Sequence, residues 1–111
     1  GLEAPQTESY AYSASKAAVH HLTRHHARRL ASEHILVNAI APGLFASNMT
    51  AFVMENPDLV EQVTSGIPIP RAGFPEEIGG AAVYLASRAG GYSTGTVLVV
   101  DGGLTGAGRV S

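Results

Sequence analysis

Two short, almost continuous apolar runs, at residues 35–40 and 96–100, constrain the fold of this chain more than any other feature. Neither alternates apolar with polar residues, as a half-solvated antiparallel strand does. Each therefore reads as a strand covered on both faces, the kind found in parallel sheets. Helical material lies before and between them. Residues 9–33 are strong helix formers without Gly or Pro, with Ser9 or Ser13 available as a cap and Arg24, Arg28 and Arg29 suiting the C-terminal end of the dipole. Pro75 followed by Glu76 and Glu77 marks a second helix start, and that helix is expected to run to Arg88, with Gly90 and Gly91 stopping it. A short helix is expected over residues 57–65, residues 44–53 read as loop, and Pro42-Gly43 closes the first strand.

Strands alternating with helices define an α/β architecture. Two strands make a poor sheet, however, because a doubly wound nucleotide-binding sheet needs about six strands at about 30 residues per βα unit. The 111 residues fall short of that, so residues 1–111 are expected to be the C-terminal part of a single domain of Rossmann type, a doubly wound parallel sheet.

Composition narrows the function. With 45 % hydrophobic and 14 % charged residues the chain can bury a core. A net charge of −2 provides no electrostatic footprint for nucleic acid or an anionic membrane surface. The absence of cysteine excludes disulfides, thiolate metal sites and thiol nucleophiles. The apolar runs are too short to span a bilayer and the polar, acidic first residues do not resemble a signal peptide, so a cytoplasmic setting is expected.

Tyr12 and Lys16, the only lysine, stand four apart on the first helix and share one face. A phenol titrates near ~10 in water, too high for proton exchange at neutral pH. An ammonium at ~5 Å favours the phenolate by roughly 3 kcal/mol at an effective dielectric of ~20, or about two pKa units. Such a pair can pass a proton to or from a carbonyl or alcohol oxygen.

Four motifs in order place this pair in context: Tyr12-Ser-Ala-Ser-Lys16, Asn38-Ala-Ile-Ala-Pro42-Gly43, Arg71-Ala-Gly-Phe-Pro75-Glu-Glu-Ile and Asp101-Gly-Gly103. Together they resemble the active-site helix, the strand end beside the nicotinamide, a later helix start and the last strand end of the short-chain dehydrogenase/reductase family. Within it, the stretch from Ala41 to Thr50 is most similar to the β-ketoacyl-reductase-like branch, with its rhamnolipid-type reductases and related fungal enzymes.

The resemblance implies an oxidoreductase that moves hydride between NADP or NAD, NADP being favoured, and a carbonyl or secondary alcohol. It implies that Tyr12 is the proton donor and acceptor and that Lys16 lowers its pKa and holds the nicotinamide ribose. Phe45, where the family has Ile or Val, corresponds to the residue whose backbone holds the carboxamide. Ser47, where the family usually has Thr, keeps the hydroxyl that contacts the cofactor. The family's Gly-rich phosphate turn, its catalytic Ser and its proton-relaying Asn are expected upstream of Gly1. The implied partners are a small, apolar carbonyl or alcohol substrate and further copies of the chain, packed through the helix carrying Tyr12. A different class stays open: a non-catalytic fragment or paralogue serving as an oligomerisation module.

Other features carry weaker readings. His20, His21, His25 and His26 cluster in two turns, with His21 and His25 at metal-ligand spacing. No third ligand accompanies them, so no metal is expected and a solvated or interfacial face is preferred. Met49, Phe52, Val53 and Met54 suit either a core or the lining of an apolar substrate pocket.

Overall fold

A computed structural model describes the backbone over residues 3–106 and the side chains over residues 14–106. The chain divides into two compact units, Gly1–Ala39 with Gly91–Val97, and Ile40–Gly90 with Leu98–Ser111.

The first unit is dominated by α1, Glu3–Leu30. The helix is already formed at Glu3, well before the serines expected to cap it. Pro5 is compatible with this because it falls in the first turn, where backbone N–H groups have no helical acceptor. At the other end residues 31–33 tighten into a 3₁₀ turn, and His34 adopts φ 61° in the left-handed region to close it. Along α1, Ala27 is buried at 2 % exposure and Thr23 returns its hydroxyl to the Val19 carbonyl at 2.8 Å. Ala27 leaves just enough room for Gly95, where φ is +75° and a Cβ would lie 3.3 Å from that of Ala27. A residue with a side chain would be strained there on both counts.

Strand β1 covers Ala39–Pro42 and β2 covers Val97–Val100. Ala39 donates to the Thr96 carbonyl at 3.0 Å and Gly43 to that of Val100 at 2.9 Å. Both positions advance together, so the two strands are parallel. Pro42 is tolerated because donors aimed at β2 come from Ala39 and Gly43, out of phase with its missing N–H.

The first strand thus begins later than the expected 35–40 run, sharing only Ala39 and Ile40 with it. Residues 37 and 38 pair instead with the loop before β2. Val37 donates to Thr94 Oγ1 at 3.1 Å and accepts from Gly95 at 2.8 Å. The Asn38 amide donates to the Ser93 carbonyl at 2.9 Å and accepts from Thr96 at 3.1 Å. The expected double-sided burial is also incomplete in the two-stranded sheet, where Val99 is 48 % exposed.

In the second unit the stretch expected to be loop holds a 3₁₀ turn, Ala46–Asn48, and a single helical turn, α2, Ala51–Met54, capped by the Thr50 hydroxyl. The third helix, α3, is Pro57–Thr64, with Asn56 as its cap and Pro57 in its first position. The fourth, α4, is Pro75–Ala86 and begins as expected. It stops two residues before Arg88, because Ser87 turns extended and returns its hydroxyl to the Tyr84 carbonyl at 2.8 Å. Among the described residues of this unit, Phe45 and Ile67, each 6 % exposed, are the buried large apolar side chains.

Candidate functional site

Tyr12 and Lys16 lie one turn apart on α1 in the first unit. The side chain of Tyr12 falls outside the described residues, while Lys16 is half-buried and engaged with a partner. Phe45 and Ser47 belong to the second unit, in the turn that follows β1.

That turn is locally self-contained. The Phe45 N–H donates to Asn48 Oδ1 at 3.1 Å, and the Phe45 carbonyl accepts from the Asn48 N–H at 2.8 Å. Ser47, between them, is exposed. The flanking backbone is fixed from a distance by Gly73, whose N–H donates to the Leu44 carbonyl at 2.8 Å and which forms a parallel bridge with Phe45. The Phe45 ring covers Gly73 so closely that a Cβ there would overlap its carbons.

Gly73 is itself anchored by the start of α4. Arg71 grips Glu77 with a two-pronged contact, Nη1 to Oε1 at 2.8 Å and Nη2 to Oε2 at 2.9 Å. Oε1 also accepts the Phe74 N–H at 2.7 Å, which satisfies one of the helix's unpaired donors. The guanidinium lies 4.6 Å from the Phe74 ring centroid, a cation–π contact. Hydrogen bonds from Arg71 and then Phe74 pull the Glu77 carboxyl down to about 2 against a smaller opposing desolvation. The same pairing raises Arg71 further.

At the end of β2, Asp101 organises the chain reversal. Oδ1 accepts the Gly103 N–H at 2.9 Å, while Oδ2 accepts the Thr105 hydroxyl at 2.7 Å and its N–H at 3.1 Å. The Thr105 hydroxyl, foremost, holds the Asp101 carboxyl below its ordinary value. Phe45, Ile69, Arg71, Glu77, Val99 and Asp101 are among the residues lining an open cleft of about 360 Å³ in this unit.

Two of these arrangements are absent from a reading of motifs alone. Arg71 and Glu77 stood out only as part of a helix start, although the spacing from Phe74 to Glu77 is that of a cap and its third residue. Asn48 carried no signal beyond its place three residues after Phe45. His21, His25 and His26 are exposed, the last two with rings in edge contact at 5.7 Å. Among the described residues no three His, Cys, Asp or Glu side chains are placed to hold a metal ion. Phe52 and Met54 are 72 % and 52 % exposed, so the core reading of these two is corrected: the short α2 leaves them on the surface. No helix of the described residues is long and apolar enough to cross a membrane.

Parallel strands linked through helices, with a tight turn after the first strand and an acidic reversal after the second, define an α/β protein of Rossmann type. The enoyl-(acyl carrier protein) reductase family model matches residues 2–105. The chain is 47 % identical to the rhamnolipids biosynthesis 3-oxoacyl-(acyl-carrier-protein) reductase of Pseudomonas aeruginosa, over 93 % of this chain and 40 % of the relative. It is 48 % identical to galactitol 2-dehydrogenase (L-tagatose-forming) of Cereibacter sphaeroides, over 91 % of this chain and 39 % of that one.

Solved structures agree. A Pseudomonas aeruginosa RhlG/NADP active-site complex superposes with a TM-score of 0.81 at 48 % identity, covering 86 % of this chain and 38 % of the other. A 4-hydroxyisoleucine dehydrogenase complexed with NADH gives a TM-score of 0.79 at 34 % identity, covering 90 % and 41 %. The chain belongs to the short-chain dehydrogenase/reductase family. It spans about two fifths of the length of these relatives.

Proposed function

We propose that this chain is the C-terminal part of an NAD(P)-dependent oxidoreductase that interconverts a carbonyl and a secondary alcohol, with Tyr12 handling the proton. The observation that carries this reading is the unbroken run of α1 from Glu3 to Leu30. It sets Tyr12 and Lys16 one turn apart, about 6 Å along the axis at 1.5 Å per residue. The NADP and NADH complexes of two relatives support the cofactor class, and the family resemblance favours NADP.

The chemistry that a nicotinamide would supply here is hydride transfer to or from the substrate carbon. In reduction the Tyr12 hydroxyl gives its proton to the carbonyl oxygen, and in oxidation the phenolate takes it back. The Lys16 ammonium would favour the phenolate and hold the nicotinamide ribose hydroxyls. The Phe45 backbone would meet the carboxamide, and the exposed Ser47 hydroxyl would contact the cofactor. The donor chemistry fits, because the Phe45 N–H already serves the oxygen of a primary amide at 3.1 Å. The upstream part of the domain would supply the phosphate turn, the catalytic Ser and the relaying Asn. The substrate is read as small and apolar, facing the exposed Phe52 and Met54, in a cytoplasmic protein.

The test is Tyr12→Phe in the full-length protein. Ketone reduction should vanish while NADPH binding persists; wild-type turnover in that variant sinks the mechanism.

A second reading rests on Val19 and Leu22, each about half exposed on α1 at 52 % and 50 %. Such a face suits packing against the same helix of another copy, and on this reading the chain is a non-catalytic fragment or paralogue that serves as an oligomerisation module. Sedimentation of a Val19→Glu/Leu22→Glu protein that stays at the wild-type oligomeric state would overturn it.

A further inference from the structure

The Phe45 N–H is held in one direction. On one side the Leu44 carbonyl is bonded to Gly73, and the buried Phe45 ring is locked over that glycine. On the other side the Phe45 carbonyl accepts from Asn48. The backbone therefore cannot easily turn this N–H elsewhere. Its acceptor is the Asn48 side-chain oxygen at 3.1 Å, on an exposed residue that ends a single 3₁₀ turn. Backbone here is fixed from two sides, whereas the Asn48 side chain can swing into water.

A primary amide oxygen is also the acceptor that a nicotinamide carboxamide presents. One N–H serves one strong acceptor at a time. We infer that Asn48 is an internal stand-in for the carboxamide, occupying the Phe45 N–H until a dinucleotide displaces it. This rests on the reading above that the Phe45 backbone meets the carboxamide. Asn48 is then a residue that tunes affinity for the nicotinamide end of the cofactor, through Phe45 and by competition.

Competition has a distinctive sign. Removing the internal acceptor should help the dinucleotide, and strengthening it should hinder, whereas removing a mere turn cap or a direct ligand should weaken binding. Ligands without a nicotinamide, namely ADP-ribose and its 2′-phosphate, should not register the difference.

The experiment measures Kd for NADH, NADPH and these two fragments with the full-length protein, as wild type, Asn48→Ala and Asn48→Asp. Asn48→Ala should improve the preference for dinucleotide over the matching fragment about three- to tenfold, the effect of one net hydrogen bond. Asn48→Asp, whose carboxylate is the stronger acceptor, should reduce that preference by a similar factor. An unchanged or reduced preference in Asn48→Ala overturns the inference. If the alanine variant does not fold, an unchanged or improved preference in Asn48→Asp overturns it equally. Wild-type protein that binds fragments but neither dinucleotide, or binds nothing, overturns the oxidoreductase reading instead and the stand-in role with it.

Discussion

The ring of Phe45 occupies the space that a side chain on Gly73 would need. The two residues are 28 positions apart yet face each other across a parallel bridge. Gly73→Ala should force the ring or the bridge to move, and Phe45→Ala in the same protein should relieve the clash. We expect the single Gly73→Ala change to destabilise by about 1–3 kcal/mol, the usual range for overpacking. A double-mutant cycle by denaturant unfolding checks it: additive effects would show that the ring and the glycine are independent.

The Glu77 carboxylate predicts a pH response. Its carboxyl is lowered to about 2 in the folded chain from an ordinary value of 4.5. A depressed folded value means that the stabilising contribution is complete above the unfolded value. It fades as pH falls from about 4.5 toward about 2. The groups are solvent-exposed, so the contribution is small. NMR titration of the Glu77 side-chain carbon should give a midpoint far below that of an ordinary Glu, and Arg71→Met should return it most of the way, because Arg71 is the largest cause.

Asn38, the residue before β1, is tied to the loop before β2 through two hydrogen bonds, to the Ser93 carbonyl and from the Thr96 N–H. Its replacement by Ala leaves both backbone groups without that partner. A loss of about 1–2 kcal/mol is expected, with faster amide exchange at Thr96. Unchanged exchange there would show the bond to be dispensable.

Lys16→Met bears on the proposed chemistry. With the ammonium gone, the apparent pKa governing alcohol oxidation should rise by about two units, the size of the electrostatic effect of one nearby cation. A pH–rate profile of the full-length variant measures this; an unmoved limb would remove Lys16 from the proton step.

What the sequence disclosed and what it withheld follow from the range of the interactions involved. Helix α4 was legible at its start because Pro75, Glu76 and Glu77 act within one turn of where they stand. The Tyr12–Lys16 spacing was legible for the same reason. The bounds of β1 were not, since residues 37 and 38 are diverted by a loop more than fifty positions away. The end of α4 was misplaced because Ser87, a residue with no strong stop signal, turns the chain before the glycines do. Asn48 was invisible for a different reason: what matters is which single donor its oxygen accepts from, and neither periodicity nor motif encodes that.

The 28-residue α1 also bears on what can disturb each group of site residues. The separation of Tyr12 and Lys16 is set by the helical backbone between them, at 1.5 Å per residue. Substitutions elsewhere in the chain should leave that separation alone. The direction of the Phe45 N–H has no such insulation, since it depends on Gly73 and, through it, on the Arg71–Glu77 grip. On the proposed roles of these residues, drift in related sequences should therefore alter how tightly a nicotinamide ring is held long before it alters the helical spacing of Tyr12 and Lys16.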